Sequence, residues 1–166
     1  MTTKKLVIIA LLIAMDIILT RFLSIQLPII RIGFGFLPVA ICAMLFGPLT
    51  AGLAAALADF IGVSLFAPFA PFPGFTLSAF LTGFAYGLFL HKQPNFVKIL
   101  LAVLIVTIPI QLFIDTVWVY MLFGGSYNAH FLARLPRSIV MIPIQFVIIK
   151  NMLNVLPQIK QLRLES

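Results

Sequence analysis

Long apolar runs alternate along this chain with short stretches of Gly, Pro, Asn and charged residues. The runs are Leu6–Leu23, Phe34–Phe46, Leu49–Phe66, Thr76–His91, Phe96–Leu122 and Arg134–Leu156. A helix that crosses the hydrocarbon core of a bilayer needs about 20 mostly apolar residues. All six runs meet or approach that length, and the second is short enough to suggest a tilted or partly inserted helix. Their separators carry breaking signals: Gln26-Leu27-Pro28 leading to Gly33 and Gly35, then Gly47-Pro48, Pro68 through Gly74, His91 through Asn95, and Gly124-Gly125-Ser126. The runs are continuously apolar instead of alternating, which argues against a membrane β-barrel. The first run is too long for the core of a cleavable signal, and no small-residue cleavage site follows it. The pattern predicts an all-α integral membrane protein, one domain over residues 1–166 with six transmembrane helices.

Composition removes the alternatives. Hydrophobic residues make up 63% of the 166 positions and charged residues 9%, with 17 Phe and a mean hydropathy of +1.20. Soluble domains carry about 25% charge, and so few charges cannot cover a folded surface in water. The single Cys42 excludes an internal disulfide and a cysteine metal cluster. No acidic calcium loop, zinc-type His pair or Gly-Lys phosphate loop occurs, so no metal and no cofactor is expected. An enzyme is not expected either: no Ser/His or paired-Asp motif appears, and His91 and His130 fall on opposite membrane sides. The net charge of +7 is scattered between apolar spans and forms no basic stripe, which argues against nucleic acid.

Charge instead sets orientation. With six spans, one side holds both termini together with Lys4, Lys5, Lys92, Lys98, Lys150, Lys160 and Arg163. The other side holds Arg21, Arg31, Arg134 and Arg137, and no Lys. The excess of cations predicts that both termini are cytoplasmic. The division by residue type says more. Lys is a compact point charge, whereas Arg offers a planar fork that matches carboxylates. Four outer arginines therefore suggest that an anion is gripped there, although headgroup contact alone would also accommodate them.

Three of the four acids, Asp16, Asp59 and Asp115, lie inside spans. A charge at the bilayer centre costs about 2.5–3.5 kcal/mol even on insertion scales, so these acids must face the bundle interior or a wet cavity. Asp16 precedes Arg21 by slightly more than one turn, close to an intrahelical pairing distance. Asp59 and Asp115 fall in the outer halves of their spans. Two interpretations stand for each acid: a tie to an arginine between helices, or an acceptor for N–H groups of a ligand. Aromatics concentrate at the same level, with Phe34 and Phe36 in the first loop, Phe66, Phe69, Phe72 and Phe75 in the third–fourth loop, and Trp118, Tyr120 and Tyr127 near the fifth span. The uncharged stretch from Ala67 to Phe75 reads as a proline-stiffened lid over an apolar pocket. Together these features describe an outward cavity suited to a flat heteroaromatic ligand with a carboxylate tail. Small residues on the third and fourth spans, from Ala51 to Ala58 and at Gly83 and Gly87, suit close helix packing. Ala10 and Ala14 on the first span suit either packing or docking of another membrane protein.

Several stretches resemble a known family: Arg31-Ile-Gly-Phe-Gly-Phe-Leu-Pro38, Met44-Leu-Phe-Gly-Pro48, Ala56-Leu-Ala-Asp-Phe-Ile-Gly62, Phe72-Pro-Gly-Phe-Thr-Leu-Ser78, and the run from Leu135 through Arg137 to Pro143. In their order and spacing they are similar to the substrate-binding S components of energy-coupling factor (ECF) vitamin transporters, most closely the folate-specific kind. The resemblance implies six helices with cytoplasmic termini in the cell membrane, and an outward vitamin site closed by the first and third–fourth loops. It further implies a transmembrane coupling subunit docked at Ala10 and Ala14, and two ATPase subunits that supply energy. Folate suits the residues at the outer level. Asp59 or Asp115 would read the pterin edge, and Phe34, Phe72, Phe75 and Trp118 would line the pocket. Arg31 and Arg134, with Arg137 or Arg21, would hold the glutamate tail. The rival expectations are an S component for another vitamin and a non-transport assembly subunit whose acids only tie helices.

Overall fold

The computed structural model describes residues 3–26, 31–66, 71–92 and 94–164, with side chains for all of these except 25, 26, 31, 32 and 155–164. Among them, six helices form one bundle. Helix α1 runs Thr3–Arg21, α2 Phe36–Phe46, α3 Pro48–Phe66 and α4 Pro73–Leu90. Helix α5 runs Phe96–Phe123 and α6 Tyr127–Leu164. Between α1 and α2 a short antiparallel pair, β1 (Ile25–Gln26) and β2 (Arg31–Ile32), sets Ile25 opposite Ile32 and Gln26 opposite Arg31. By length and apolarity alone α3, α4, α5 and α6 as far as Asn154 can each cross a bilayer. Helix α1 has the length but also carries Lys4, Lys5, Asp16 and Arg21.

The short second run proves to be the heart of the core. Helix α2 has 11 residues, a length of about 16 Å, roughly half the hydrocarbon thickness. Its Phe36, Pro38, Val39, Ala40, Cys42, Ala43, Met44 and Leu45 are all buried. It is therefore an interior element wrapped by its neighbours. Gly47, at φ +88°, makes the sharp turn into Pro48, a left-handed conformation that glycine adopts without penalty. The His91 ring covers this turn, with Nδ1 3.3 Å from the Met44 carbonyl.

Helices α3 and α4 close on one another through missing side chains. A Cβ on Gly83 would lie 2.4 Å from the Ala51 carbonyl oxygen, and one on Gly87 2.1 Å from Pro48 Cα. Only glycine lets the backbones come so near, and in lipid such contact replaces the absent hydrophobic drive. A buried polar node completes the frame. The Tyr86 hydroxyl donates to Gln145 Oε1 at 3.0 Å, and the Thr107 hydroxyl donates to the same oxygen at 3.3 Å. These bonds tie α4, α5 and α6 at a depth where water is absent.

Three boundaries differ from the sequence expectation. Helix α4 begins at Pro73, not Thr76, because proline at the first helical turn loses no hydrogen bond and its φ is preset. Phe75 is thereby a helix residue and not part of a loop. Helix α6 begins at Tyr127 and continues to Leu164, through Pro136, Pro143 and Pro157. The π-helical segment Val106–Ile114 in α5 surrounds Pro109, whose ring cannot donate to the ladder.

Replacing Gly83 by Val should destabilise the bundle by at least the roughly 1–3 kcal/mol usual for overpacking. Thermal denaturation of the detergent-solubilised chain reads this as a lowered midpoint. Ala10→Val, on the outer surface of α1, should leave the midpoint unchanged.

Candidate functional site

Polar side chains gather at the end of the bundle where α1 and α3 finish and α4 begins, and they fall into two clusters. In the first, Arg21 Nη2 lies 3.5 Å from Asp59 Oδ1, and the two side chains are 5% and 18% exposed. The Thr76 hydroxyl donates to Asp59 Oδ2 at 3.2 Å. Asp16, buried on α1, adds a second carboxylate to the field at Arg21. Gly62 makes the approach feasible, since a Cβ there would stand 2.8 Å from Arg21 Nε. Gly35 does the same for Asp16, with its Cβ position 2.7 Å from Oδ1. Arg21 thus reaches across to α3 instead of pairing only along its own helix.

The second cluster is built on α4, α5 and α6. Asp115 follows the π segment directly, and its N–H bonds to the Ile110 carbonyl. A π turn shifts the helical phase of everything after it, which sets how Asp115 and Trp118 face α4. Arg134 and Arg137 flank the Asp115 carboxylate electrostatically. Trp118 Nε1 donates to Ser78 Oγ at 3.0 Å. The Phe72 ring leans on Trp118 at 5.8 Å and 58°, and meets Phe75 edge-on at 6.0 Å. Gly74 lets these rings close in, because a Cβ there would fall 2.5 Å from both Phe72 and Trp118.

Buried bonding capacity is left over in this second cluster. Arg134 is 6% exposed, yet its Nε and Nη1 have no hydrogen-bond partner, and neither has Asp115 Oδ1. Unsatisfied buried charge costs several kcal/mol. Native proteins seldom keep such groups without a use for them. An acceptor and two donors therefore lie buried and unpartnered in the cluster that also holds Trp118 and Phe72.

The other expected site residues are placed as follows. Phe34 is 46% exposed, and its ring lies 6.3 Å from that of Phe36. Phe66 packs edge-on against Phe22 at 5.2 Å. The Arg31 backbone stands in the strand pair at this end, but its side chain lies outside the described residues, as do residues 67–70 of the expected lid. Ala10 and Ala14 both lie on the outer surface of α1. Among the described residues no three His, Cys, Asp or Glu side chains converge as a metal site would require.

A family model described as "ECF transporter, substrate-specific component" matches residues 4–155. The chain belongs to this family. It is 46% identical over 141 residues to the folate transporter FolT of Clostridium novyi (strain NT), an alignment that covers 84% of this chain and 82% of that protein. A solved structure of FolT bound with folic acid superposes with a TM-score of 0.87 at 33% identity, covering 91% of this chain and 93% of that one. The chain is thus a multi-pass, helical transport component and not an enzyme.

Within this S component, sequence reasoning passed over Ser78, Thr76, Gly62 and Gly74. Ser78 and Thr76 stand in the stretch Phe72–Ser78 that carries the family resemblance, but single hydroxyls in an apolar run give no signal of the partners they will meet. The Gly62 signal was present: a glycine three residues after an intramembrane Asp marks one helical face left open for a large partner.

Asp59→Asn should strand the Arg21 charge and lower stability by up to about 3 kcal/mol. The double change Arg21→Met with Asp59→Leu should recover most of that loss in the same thermal denaturation assay.

Proposed function

We propose that this chain is the folate-capturing subunit of an ECF-type uptake transporter in the cell membrane. It takes folate from outside and passes it inward with a transmembrane coupling subunit and two ATPase subunits. The observation that carries the substrate is the pair of unsatisfied groups, Asp115 Oδ1 and Arg134 Nε/Nη1, buried beside the Trp118 and Phe72 rings. It is supported by the likeness to FolT, whose solved structure contains folic acid.

The geometry divides the acids. Asp59 is engaged by Arg21 and Thr76, so the pterin falls to Asp115. An amino-pyrimidinone edge presents N–H donors beside a carbonyl acceptor. Asp115 accepts from the donors, and Arg134 gives its fork to the acceptor. Their opposite charges cancel, which suits a neutral heterocycle. Arg134 and Arg137 both flank Asp115, whereas the two ends of folate are separated by its whole aminobenzoyl unit. A pterin at Asp115 therefore puts Arg134 on the ring and leaves Arg31, in the strand pair, for the glutamate carboxylates. Phe72, Phe75 and Trp118 enclose the ring, and Phe34 lies toward the entrance.

The test is titration of the purified chain in detergent with folic acid and with 6-methylpterin, a ligand that lacks the tail. Asp115→Asn and Arg134→Gln should each weaken both ligands at least tenfold, the loss of one charged hydrogen bond of about 1.5–3 kcal/mol. Arg31→Ala should weaken folic acid and leave 6-methylpterin unchanged. Binding of riboflavin or thiamine in place of folic acid would overturn the substrate and keep the fold.

Both termini face the cytoplasm in this reading, which puts the site outside. A membrane-impermeant maleimide should label Ser126→Cys in intact cells and Asn95→Cys only after permeabilisation. The native Cys42 is buried and gives no competing signal.

A further inference from the structure

Gly74 has no conformational reason to be glycine. It stands in the first turn of α4, directly after Pro73. Among the described residues positive φ belongs to Gly47, Gly124 and Gly125, so the backbone of Gly74 is open to any residue. Glycine is also a poor helix former. The reason lies in what surrounds the position. Gly74 is buried, and a Cβ built on it would stand 2.5 Å from Phe72 Cε1, 2.9 Å from Phe72 Cδ1 and 2.5 Å from Trp118 Cδ2. Cδ2 is a fusion atom in the body of the indole, not the end of a flexible chain. Two aromatic rings, one at the start of α4 and one from α5, thus fill the place of a single methyl group.

The indole is held against α4 at three points. Phe72 leans on it at 5.8 Å and 58°, Ser78 Oγ accepts its N–H at 3.0 Å, and its fused edge lies over the bare backbone of Gly74. Residues 74 and 78 share one face of α4, as Asp115 and Trp118 share one face of α5. How closely the indole approaches α4 therefore fixes the room it leaves beside Asp115. We infer that Gly74 is a positioning residue for the folate site: its missing side chain lets the Phe72 and Trp118 rings seat together on α4, and so sets the place of the aromatic wall against which a pterin packs. A methyl group there must displace ring bodies, and a close-packed interior gives them little space to retreat. The inference rests on the folate reading for its ligand, but the seating of the two rings is measurable without one.

The experiment uses the whole chain in detergent and has two arms. Trp118 is the sole tryptophan, so selectively excited indole emission belongs to it alone. In the ligand-free protein Gly74→Ala should shift the emission maximum and raise the amplitude of the fast anisotropy decay. Adding Phe72→Leu, which gives the indole room to move aside, should reverse most of that change. Gly52→Ala, which crowds Phe80 at the α3–α4 contact, is the control: it should lower the thermal midpoint and leave the Trp118 signal in place. A Trp118 signal unmoved by Gly74→Ala, or moved as much by Gly52→Ala, overturns the inference whatever the ligand is. Should Gly74→Ala alone fail to fold, recovery with Phe72→Leu supports the same crowding, and no recovery overturns it. In the second arm, Gly74→Ala should weaken folic acid and 6-methylpterin by the same factor, about tenfold, as befits an overpacked contact. On a Phe72→Leu background the same change should cost much less. A loss confined to folic acid, or one undiminished on that background, overturns the positioning role. Failure of the unmodified chain to bind folic acid counts against the folate reading, and the emission arm then judges Gly74 alone.

Discussion

The constraint behind the whole structure is that lipid offers nothing to a charge. Every ionised group inside the bilayer must find its counterpart within the bundle, and each one placed there restricts the helices around it. Arg21 reaches α3 because Asp59 is there, and Gly62 is bare so that the guanidinium can arrive. Asp16 is the one buried residue of α1, and Gly35 is cut back to admit it. The acids and arginines gather at one end of the bundle for the same reason: a second charged pair is cheapest next to the first, where the field is already polar. The apolar remainder can then be thick and featureless without losing its fold.

On that frame the two polar clusters play different parts. The first sets an arginine and a hydroxyl on its acid and joins α1, α3 and α4. The second joins α4, α5 and α6 around leftover capacity on Arg134 and Asp115. Replacing a buried ion pair by apolar residues is often neutral, which suits the first cluster to fastening helices. Both clusters contain Asp and Arg, but among the described residues only the second leaves a carboxylate oxygen, Asp115 Oδ1, buried without a hydrogen bond. Helix α4 belongs to both: Thr76 meets Asp59 and Ser78 meets Trp118, two residues apart near its N-terminal end.

The sequence made the helices legible because hydrophobic length is a direct consequence of the solvent. The six runs correspond to the six helices, and the small residues at Gly83 and Gly87 announced the α3–α4 contact. What stayed hidden was anything decided by rotation about a helix axis. Whether α2 crosses or lies inside depends on which neighbours surround it, and its 11 residues look the same either way. The π segment at Val106–Ile114 is a backbone choice with Pro109 as its only token, yet it sets the facing of Asp115 and Trp118. Asp59 and Asp115 therefore looked equivalent in sequence, at one depth with arginines near both. Only the fold shows that Arg21 answers Asp59 while Arg134 and Arg137 flank Asp115. The buried node of Tyr86, Thr107 and Gln145 escaped notice for a related reason. Neutral polar residues in apolar runs do not disturb hydropathy enough to stand out, though they join three helices.

The same physics bears on how such a subunit can move its cargo without opening a pore. On the proposed reading, a pterin between Asp115 and Arg134 would satisfy groups that are otherwise buried without partners, and the loaded bundle would be electrically quieter than the empty one. A polar heterocycle bound this way shows lipid no unpaired charge from inside the helices. Meanwhile the outer surface of α1 offers Ala10 and Ala14 to whatever packs there, on a face remote from α5 and α6. Small residues allow close, sliding contact between helices without interlocked side chains. On the proposed reading, a component that binds its ligand among α4, α5 and α6 and docks through small residues on α1 keeps binding apart from docking. That separation of tasks follows from where the charges were allowed to sit.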